Sequence, residues 1–437
     1  MEWMMKMDRK FIAQEERMSK NIGLESVARL NPLITSAFAS AASKFTTTAS
    51  IIPWWVYVLA VVILVIVFWY LANMYWLLES PENVRSKLRK FVDAFNIYGD
   101  QRSSRKGLRK YITDLKASGV PTEHLSLTNF YVCSANTAAI FTPLRDGVAS
   151  PEAIRLAIAA GARYLDIPIY SNNSTGTPVV CEMDAGSKWK RLTMNQVSFR
   201  SIMQAVQQYA IAGPGATADV SEAPYREDPL FIMLRFNGKP KDKTYTEVAT
   251  VLGDTIESMR LDFTWNAQRG AERLFKTPIT EFFGKIIIMS NVYPPETNKL
   301  NDYINLGPRS STPLEMTPKD VANIPDEQKA ATVARIQQNL TLCRPNGEEP
   351  DINSNGWDYA KAHALGIHFA AMNFWSQDAN LTAYRAPAVF GVNSFLIKPV
   401  DLRYVIVYIT PPADPNPALN AGNGTPTAPA PINIMQQ

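Results

Sequence analysis

From residue 126 onward the chain alternates short apolar bursts with stretches whose apolar positions recur at helical spacing. The bursts are FYVC (130–133), YLDIPI (164–169), PVVC (178–181), LFIMLRF (230–236), KIIIM (285–289), FAAMNFW (369–375), SFLI (394–397) and YVIVYI (404–409). Bursts of this length between turn residues read as strands, and strands alternating with helices read as an α/β barrel. The segment PEAIRLAIAAGA carries helical punctuation: Ser150 can cap it, Pro151 fits its first turn and Gly161 ends it. Residues 296–362 lack comparable bursts and carry many polar residues and several prolines. They read as an insertion within the barrel, helical around 326–339.

A different pattern precedes the barrel. Residues 54–78, WWVYVLAVVILVIVFWYLANMYWLL, contain no charge. As a helix this run reaches about 37 Å, enough to cross a bilayer with some tilt. Trp54, Trp55 and Tyr57 stand at one end, and Trp69, Tyr70, Tyr75 and Trp76 toward the other. Aromatic rings prefer the headgroup level, where a ring is half wet. Asn73 is either a helix–helix contact or a polar group tolerated near the interface. The run is too long, and starts too far into the chain, for a cleaved signal peptide. Glu2 excludes N-myristoylation, which needs glycine there. Only Lys44 lies close before the helix, whereas Arg85, Lys87, Arg89 and Lys90 follow it. The positive-inside rule then places the C-terminal part on the cytosolic side. The sequons at Asn172, Asn173, Asn339, Asn380 and Asn423 would go unused. The same basic stretch either rests on anionic headgroups or is a solvated linker.

The organisation that follows has seven parts. Residues 1–50 are a mixed polar segment, 51–78 the transmembrane helix and 79–125 a basic helical stalk. The barrel is split into 126–295 and 363–410 by the 296–362 insertion, and 411–437 is a proline- and alanine-rich tail. The formal net charge is +4, with no basic run interleaved with aromatics, which argues against nucleic-acid binding. Cys133, Cys181 and Cys343 are too widely spaced for a disulfide framework or a metal knuckle. They read as small buried side chains.

The ordered motifs resemble the phosphoinositide-specific phospholipase C barrel, with its X and Y halves. SANTAAI takes the place of the family's S-H-N-T-Y-L. SPEAIRLAIAAGARYLDIPIY resembles the helix, Gly-x-Arg and strand that carry E-L-D. TPVVCEM resembles P-V-V-Y-H-G, DPLFIMLRF the strand ending in S-L-E, and FFGKIIIM the stretch G-K-I-L-L-K. In the Y half, CRPNGEEPDINSN is similar to Y-P-K-G-x-R-x-D-S-S-N. Residues 366–403 resemble the run from G-x-Q-x-x-A-L-N-x-Q-T to G-Y-V-L-K-P-x-x-L-R, with Asn373, Lys398, Pro399, Leu402 and Arg403 in register. The resemblance implies a distorted TIM-type (β/α)8 barrel with its site at the C-terminal strand ends.

It also implies a catalytic set, and most of that set is replaced. The family uses two histidines and a calcium ion held by Asn, Glu, Asp and Glu. The first histidine falls on Ala135, while the calcium-ligand asparagine survives as Asn136. The E-L-D carboxylates fall on Asp166 and Pro168, the second histidine on Glu182 and the last carboxylate on Arg235. The phosphate-binding lysines fall on Met289 and Asn291, and the Arg-x-Tyr pair on Leu342 and Arg344. Shifting the alignment finds no histidine, because the chain has only His124, His363 and His368, which read as structural.

The expectation is therefore a barrel without catalysis, metal or cofactor, in which Arg235 pairs with Asp166 and Glu182 in place of calcium. Degenerate, helix-tethered barrels of this kind look similar to phospholipase-C-like proteins of large nucleocytoplasmic DNA viruses. That resemblance implies a structural protein linking an internal membrane to a capsid shell, with capsid proteins as partners. Two other readings stand beside it. One is an inactive cellular module binding phosphoinositide headgroups, with Lys188, Lys190 and Arg191 supplying charge. The other is an enzyme using Glu182 and Asp166 as acid and base.

Overall fold

The computed structural model describes residues 53–79, 106–141, 147–172, 174–183, 193, 195–211, 226–266, 271–307, 314–345, 356–376 and 378–405. The N-terminal polar segment, most of the basic stalk, the SKWKR stretch (187–191) and the proline-rich tail lie outside them. The chain divides into two units, Met1–Ser80 and Pro81–Gln437.

In the first unit, helix α1 runs from Trp54 to Glu79. Its window Trp55–Ala72 has a mean hydropathy of 2.6. Trp55, Trp69 and Tyr70 are each more than half exposed, and the aliphatic residues between them are exposed too. A helix apolar on every side cannot be satisfied by water.

The second unit begins, among described residues, with α2 (Leu108–Ala117), followed by β1 (Phe130–Ala135), β2 (Ile140–Phe141), β3 (Val148–Ala149) and α3 (Pro151–Ala159). Next come β4 (Tyr164–Ser171), β5 (Pro178–Val180), β6 (Val197–Ser198), α4 (Phe199–Tyr209), β7 (Leu230–Phe236) and α5 (Asp242–Ile256). Then follow α6 (Ala271–Lys276), β8 (Ile286–Ser290), β9 (Leu314–Met316), α7 (Pro318–Ala322) and α8 (Asp326–Gln338). The last are β10 (Thr341–Cys343), α9 (Tyr359–Ala364), β11 (Phe369–Met372), α10 (Ala379–Tyr384) and β12 (Phe395–Ile397).

Seven strands form one parallel ladder in the order β9-β10-β11-β1-β4-β7-β8. Met289 of β8 adds a parallel bridge to Leu306. Successive residues of each strand face opposite sides, and both sides are buried. Val132, Tyr164, Met233, Ile287, Leu342 and Phe369 gather in one cluster. Leu165, Ile167, Ile232, Leu234 and Ile288 pack instead on Ile154, Phe199, Met203 and Leu252 of the helices. Leu342 stands near one end of the ladder, and Met289 and Leu306 at the other, yet all three share the first cluster. The sheet therefore curls on itself, with one face inside and the helices outside.

The helix after β3 follows its punctuation. The Ser150 hydroxyl accepts from the Glu152 N–H, Pro151 fills the first turn, and Gly161 takes a φ of +97° just beyond the end. A side chain at that φ would clash with its own backbone, so glycine is required.

Several expectations change. PVVC is not a barrel strand: β5 runs antiparallel to β4 as a hairpin, because Pro178 pairs back on Ser171. SFLI likewise pairs antiparallel with β1. YVIVYI lies almost wholly outside the described residues. The 296–362 segment, expected as an insertion, supplies β9 and β10, each three residues long. Their sequences, LEM and TLC, mix polar with apolar residues and leave no apolar burst. The stalk also changes at its C-terminal end, since Leu108 and Ile112 bury against Phe130 in the interior cluster.

Candidate functional site

The parallel strands end together, and the side chains at those ends define the candidate site. In β4, Asp166 and Pro168 stand on the inner face, and Pro168 is in register with Arg235 of β7. Arg235 Nε donates to both Asp166 oxygens at 3.1 Å. Its terminal nitrogen reaches Glu182 Oε2 at 2.8 Å. Asp166 is 0% exposed, and Arg235 and Glu182 are each 6% exposed. The structure thus brings together the three charges expected to meet.

Further donors reach both carboxylates. The Tyr170 hydroxyl donates to Glu182 Oε1 at 2.9 Å, and the Thr137 N–H reaches Asp166 Oδ2 at 3.3 Å. Burial alone would lower the Arg235 guanidinium, but the charges of Asp166 and then Glu182 outweigh it and hold it well above its ordinary range. Burial first, then the Glu182 charge, raise the Tyr170 hydroxyl. A buried cluster of this kind holds only because each charge has a partner.

The other expected positions scatter around this centre. Asn136, at the end of β1, donates from its amide to Asn373 Oδ1 at 2.8 Å, and its backbone N–H donates to Met372 O. Ala135 turns the other way and packs with Ala138 and Ile154 on the helix side. Met289 and Leu342 belong to the interior apolar cluster. Asn291 is not in the site: its side chain clamps the backbone of Phe236, accepting at 2.8 Å and donating at 2.9 Å. Arg344 pairs with Glu315 Oε1 at 2.5 Å. No bond joins His124, His363 or His368 to the Asp166–Arg235–Glu182 cluster. His368 precedes β11, at the opposite ends of the strands.

Four participants were not singled out from the sequence. Tyr170 follows Asp166 and Pro168 at the period of two that puts them on one strand face, so alternation could have found it. Glu315 gave no such signal, because its strand is too short. Thr137, with φ +42° and a buried hydroxyl that has no protein partner, marks a strained turn after β1. Tyr384 accepts the Ser134 N–H at 2.9 Å from a helix far along the chain.

The donor set does not fit calcium. A calcium ion takes six to eight oxygen ligands, about 2.3–2.6 Å away. Here both carboxylates face a guanidinium, which would repel a second cation. Beside the site, a cavity of about 20 Å³ is lined by Asn136, Ala153, Ala157, Trp375 and Arg385. That is room for about one water.

No protein-family model matches the chain, and no curated protein matches it. Among solved structures, PLC21 of L. pealei is similar with a TM-score of 0.49 at 15% identity, over 65% of this chain and 38% of that one. PLC21 of S. officinalis gives 0.48 at 14% identity with the same coverage. This chain therefore spans well under half the length of those two. A calcium-dependent phosphoinositol-specific phospholipase C from a Pseudomonas species gives 0.39 at 10% identity, covering 63% of this chain and 96% of that one.

Proposed function

We propose that the chain is a phospholipase-C-like barrel in which hydrolytic chemistry has given way to a structural ion cluster, and that it serves as a scaffold at a membrane. The observation that carries this reading is the Arg235 guanidinium held by Asp166 and Glu182 in a site less than a tenth exposed. Cleavage of a phosphodiester needs a proton donor and a positive charge that can reach the phosphate. Ala135 cannot move a proton. Glu182 would repel the phosphate, and the Arg235 charge is neutralised from within. The same contacts argue against an acid–base pair of carboxylates, because the Arg235 guanidinium and the Tyr170 hydroxyl already occupy them.

Helix α1 would provide a single-pass anchor, with the barrel on the cytosolic side as the flanking basic residues suggest. Within this reading the partners are other structural proteins. A shell protein enclosing an internal membrane, as in a virion, is the arrangement that the motif resemblance favours. The test is phosphoinositide hydrolysis by the full chain in mixed micelles, with and without calcium. No turnover and no calcium-dependent thermal shift are expected. Calcium-dependent turnover would overturn the proposal.

A further inference from the structure

A second buried polar cluster lies at the opposite ends of the strands, where the chain leading out of β12 closes the curled sheet. Lys398 is 0% exposed and so is His368. Lys398 Nζ is 2.8 Å from His368 Nε2. His368 Nδ1 accepts the Thr341 N–H at 3.1 Å, so Nδ1 carries a lone pair and no proton. A neutral imidazole with a bare Nδ1 has its proton on Nε2. Nε2 also lies 2.8 Å from the Thr128 carbonyl, which can only accept. Nε2 therefore carries the one ring proton, shared between the Thr128 carbonyl and the Lys398 nitrogen, and that nitrogen has to offer a lone pair. An ammonium has none.

The surroundings agree with this assignment. Among the described residues Lys398 forms no ion pair. The Tyr131 ring centroid is 5.7 Å from Nζ, and His363 of α9 stacks on that ring at 4.2 Å. Arg403 Nε donates to the Lys398 carbonyl at 2.6 Å, and its Nη1 lies 3.3 Å from His124 Nδ1. Asp401 places its charge within reach of Tyr131. The Lys398 amine thus lies against neutral rings, with Arg403 on its backbone carbonyl and the Asp401 charge on the side of Tyr131. Burial lowers both Lys398 and His368 well below their ordinary ranges.

We propose that Lys398 is held as an uncharged amine accepting the His368 Nε2–H, and that this junction is an acid-sensitive latch on the segment 395–404. The latch ties together four stretches: Thr128 before β1, Thr341 at the start of β10, His368 before β11, and Lys398, whose N–H also donates to Asn129 O at 2.9 Å. Tyr404 is fixed by the same Asn129, through its N–H at 2.7 Å and its carbonyl at 2.8 Å. A proton taken up on Nζ removes the lone pair that the imidazole uses. A proton taken up on His368 Nδ1 sets two donors against each other at Thr341. Either event disfavours the closed segment.

Lysine is charged in an opened segment and neutral in the closed one. Opening therefore takes up a proton, and the closed state gains stability as pH rises toward the ordinary lysine range. The test uses the full chain in nonionic micelles. The Lys398 side chain is followed by ¹³C and ¹⁵N resonances, assigned by difference from Lys398→Met, and exchange of the 395–404 amides is corrected for intrinsic rate. The expected result is an amine signature for Lys398 at pH 8 and an opening constant that rises about tenfold per pH unit lowered, a slope absent in Lys398→Met. An ammonium signature at pH 8, or the same slope in both proteins, would overturn the proposal. If Lys398→Met does not fold, the wild-type resonance, assigned instead by selective labelling, decides alone.

Discussion

The Arg235 guanidinium faces two carboxylates, so the cluster carries one positive and two negative charges where water scarcely reaches. Removing one partner from a buried ion cluster strands the others, at a cost of about 3–5 kcal/mol. Arg235→Met should lower stability by that amount, measured by chemical denaturation near pH 7. Adding Asp166→Asn and Glu182→Gln should recover most of it, because the amides carry no charge. An Arg235→Met protein as stable as wild type would mean that the cluster holds nothing together. Asp166 and Arg235 were legible because each occupies a definite place on a long apolar strand. Ala135 was legible as an absence, but not its direction: the residue after an inward-facing one faces outward, into the helices.

Asp228 shows how one buried carboxyl joins elements. It stands just before β7, and its Oδ1 accepts the Leu108 N–H at 2.9 Å, tying down the first turn of α2. Burial, partly offset by the Arg163 charge, pushes its carboxyl up to about 6. A raised carboxyl contributes stability that is present below its unfolded value, near 4, and lost as pH rises through 6. Asp228→Asn keeps the acceptor and cannot ionise. It should flatten the stability profile between pH 4 and 6 and equal or exceed wild type at pH 7 by about 1–3 kcal/mol, read from thermal melts across pH. Ser150→Ala should cost about 1 kcal/mol by exposing the start of α3, seen as a lower denaturation midpoint at unchanged slope. The long strands and the capped helix could be read from the sequence because burial on both faces makes a run, and caps use few residue types. Strands β9 and β10 could not, since LEM and TLC mix polar with apolar residues and make no run. The β5 hairpin also hid its direction, because an apolar run looks the same whichever way its hydrogen bonds point.

At the scale of the whole molecule, the two units answer to different solvents. The sheet unit buries its apolar residues against one another, whereas α1 exposes its own along Trp55–Ala72, about 27 Å of helix. That contrast was the most legible feature of the sequence, because a run of this length without charge has few other uses. The orientation proposed for α1 rests on the basic residues from Arg85 onward, and 80–105 lie outside the described residues. A charge at mid-helix should therefore have a large effect while the sheet unit stays folded. Val65→Arg adds about 2.5–3.5 kcal/mol to the insertion cost. It should move the chain out of the alkali-resistant membrane fraction, with the protease-resistant sheet unit unchanged. Replacing Arg85, Lys87, Arg89 and Lys90 by Gln tests orientation separately. Protease added outside sealed vesicles should cut the parent chain free of its vesicles and release the C-terminal unit intact. In the Gln variant a protected fraction should appear, with glycan attached at sequons such as Asn339. A Val65→Arg chain that stays in the alkali-resistant fraction would mean that α1 is held by protein contacts and not by lipid.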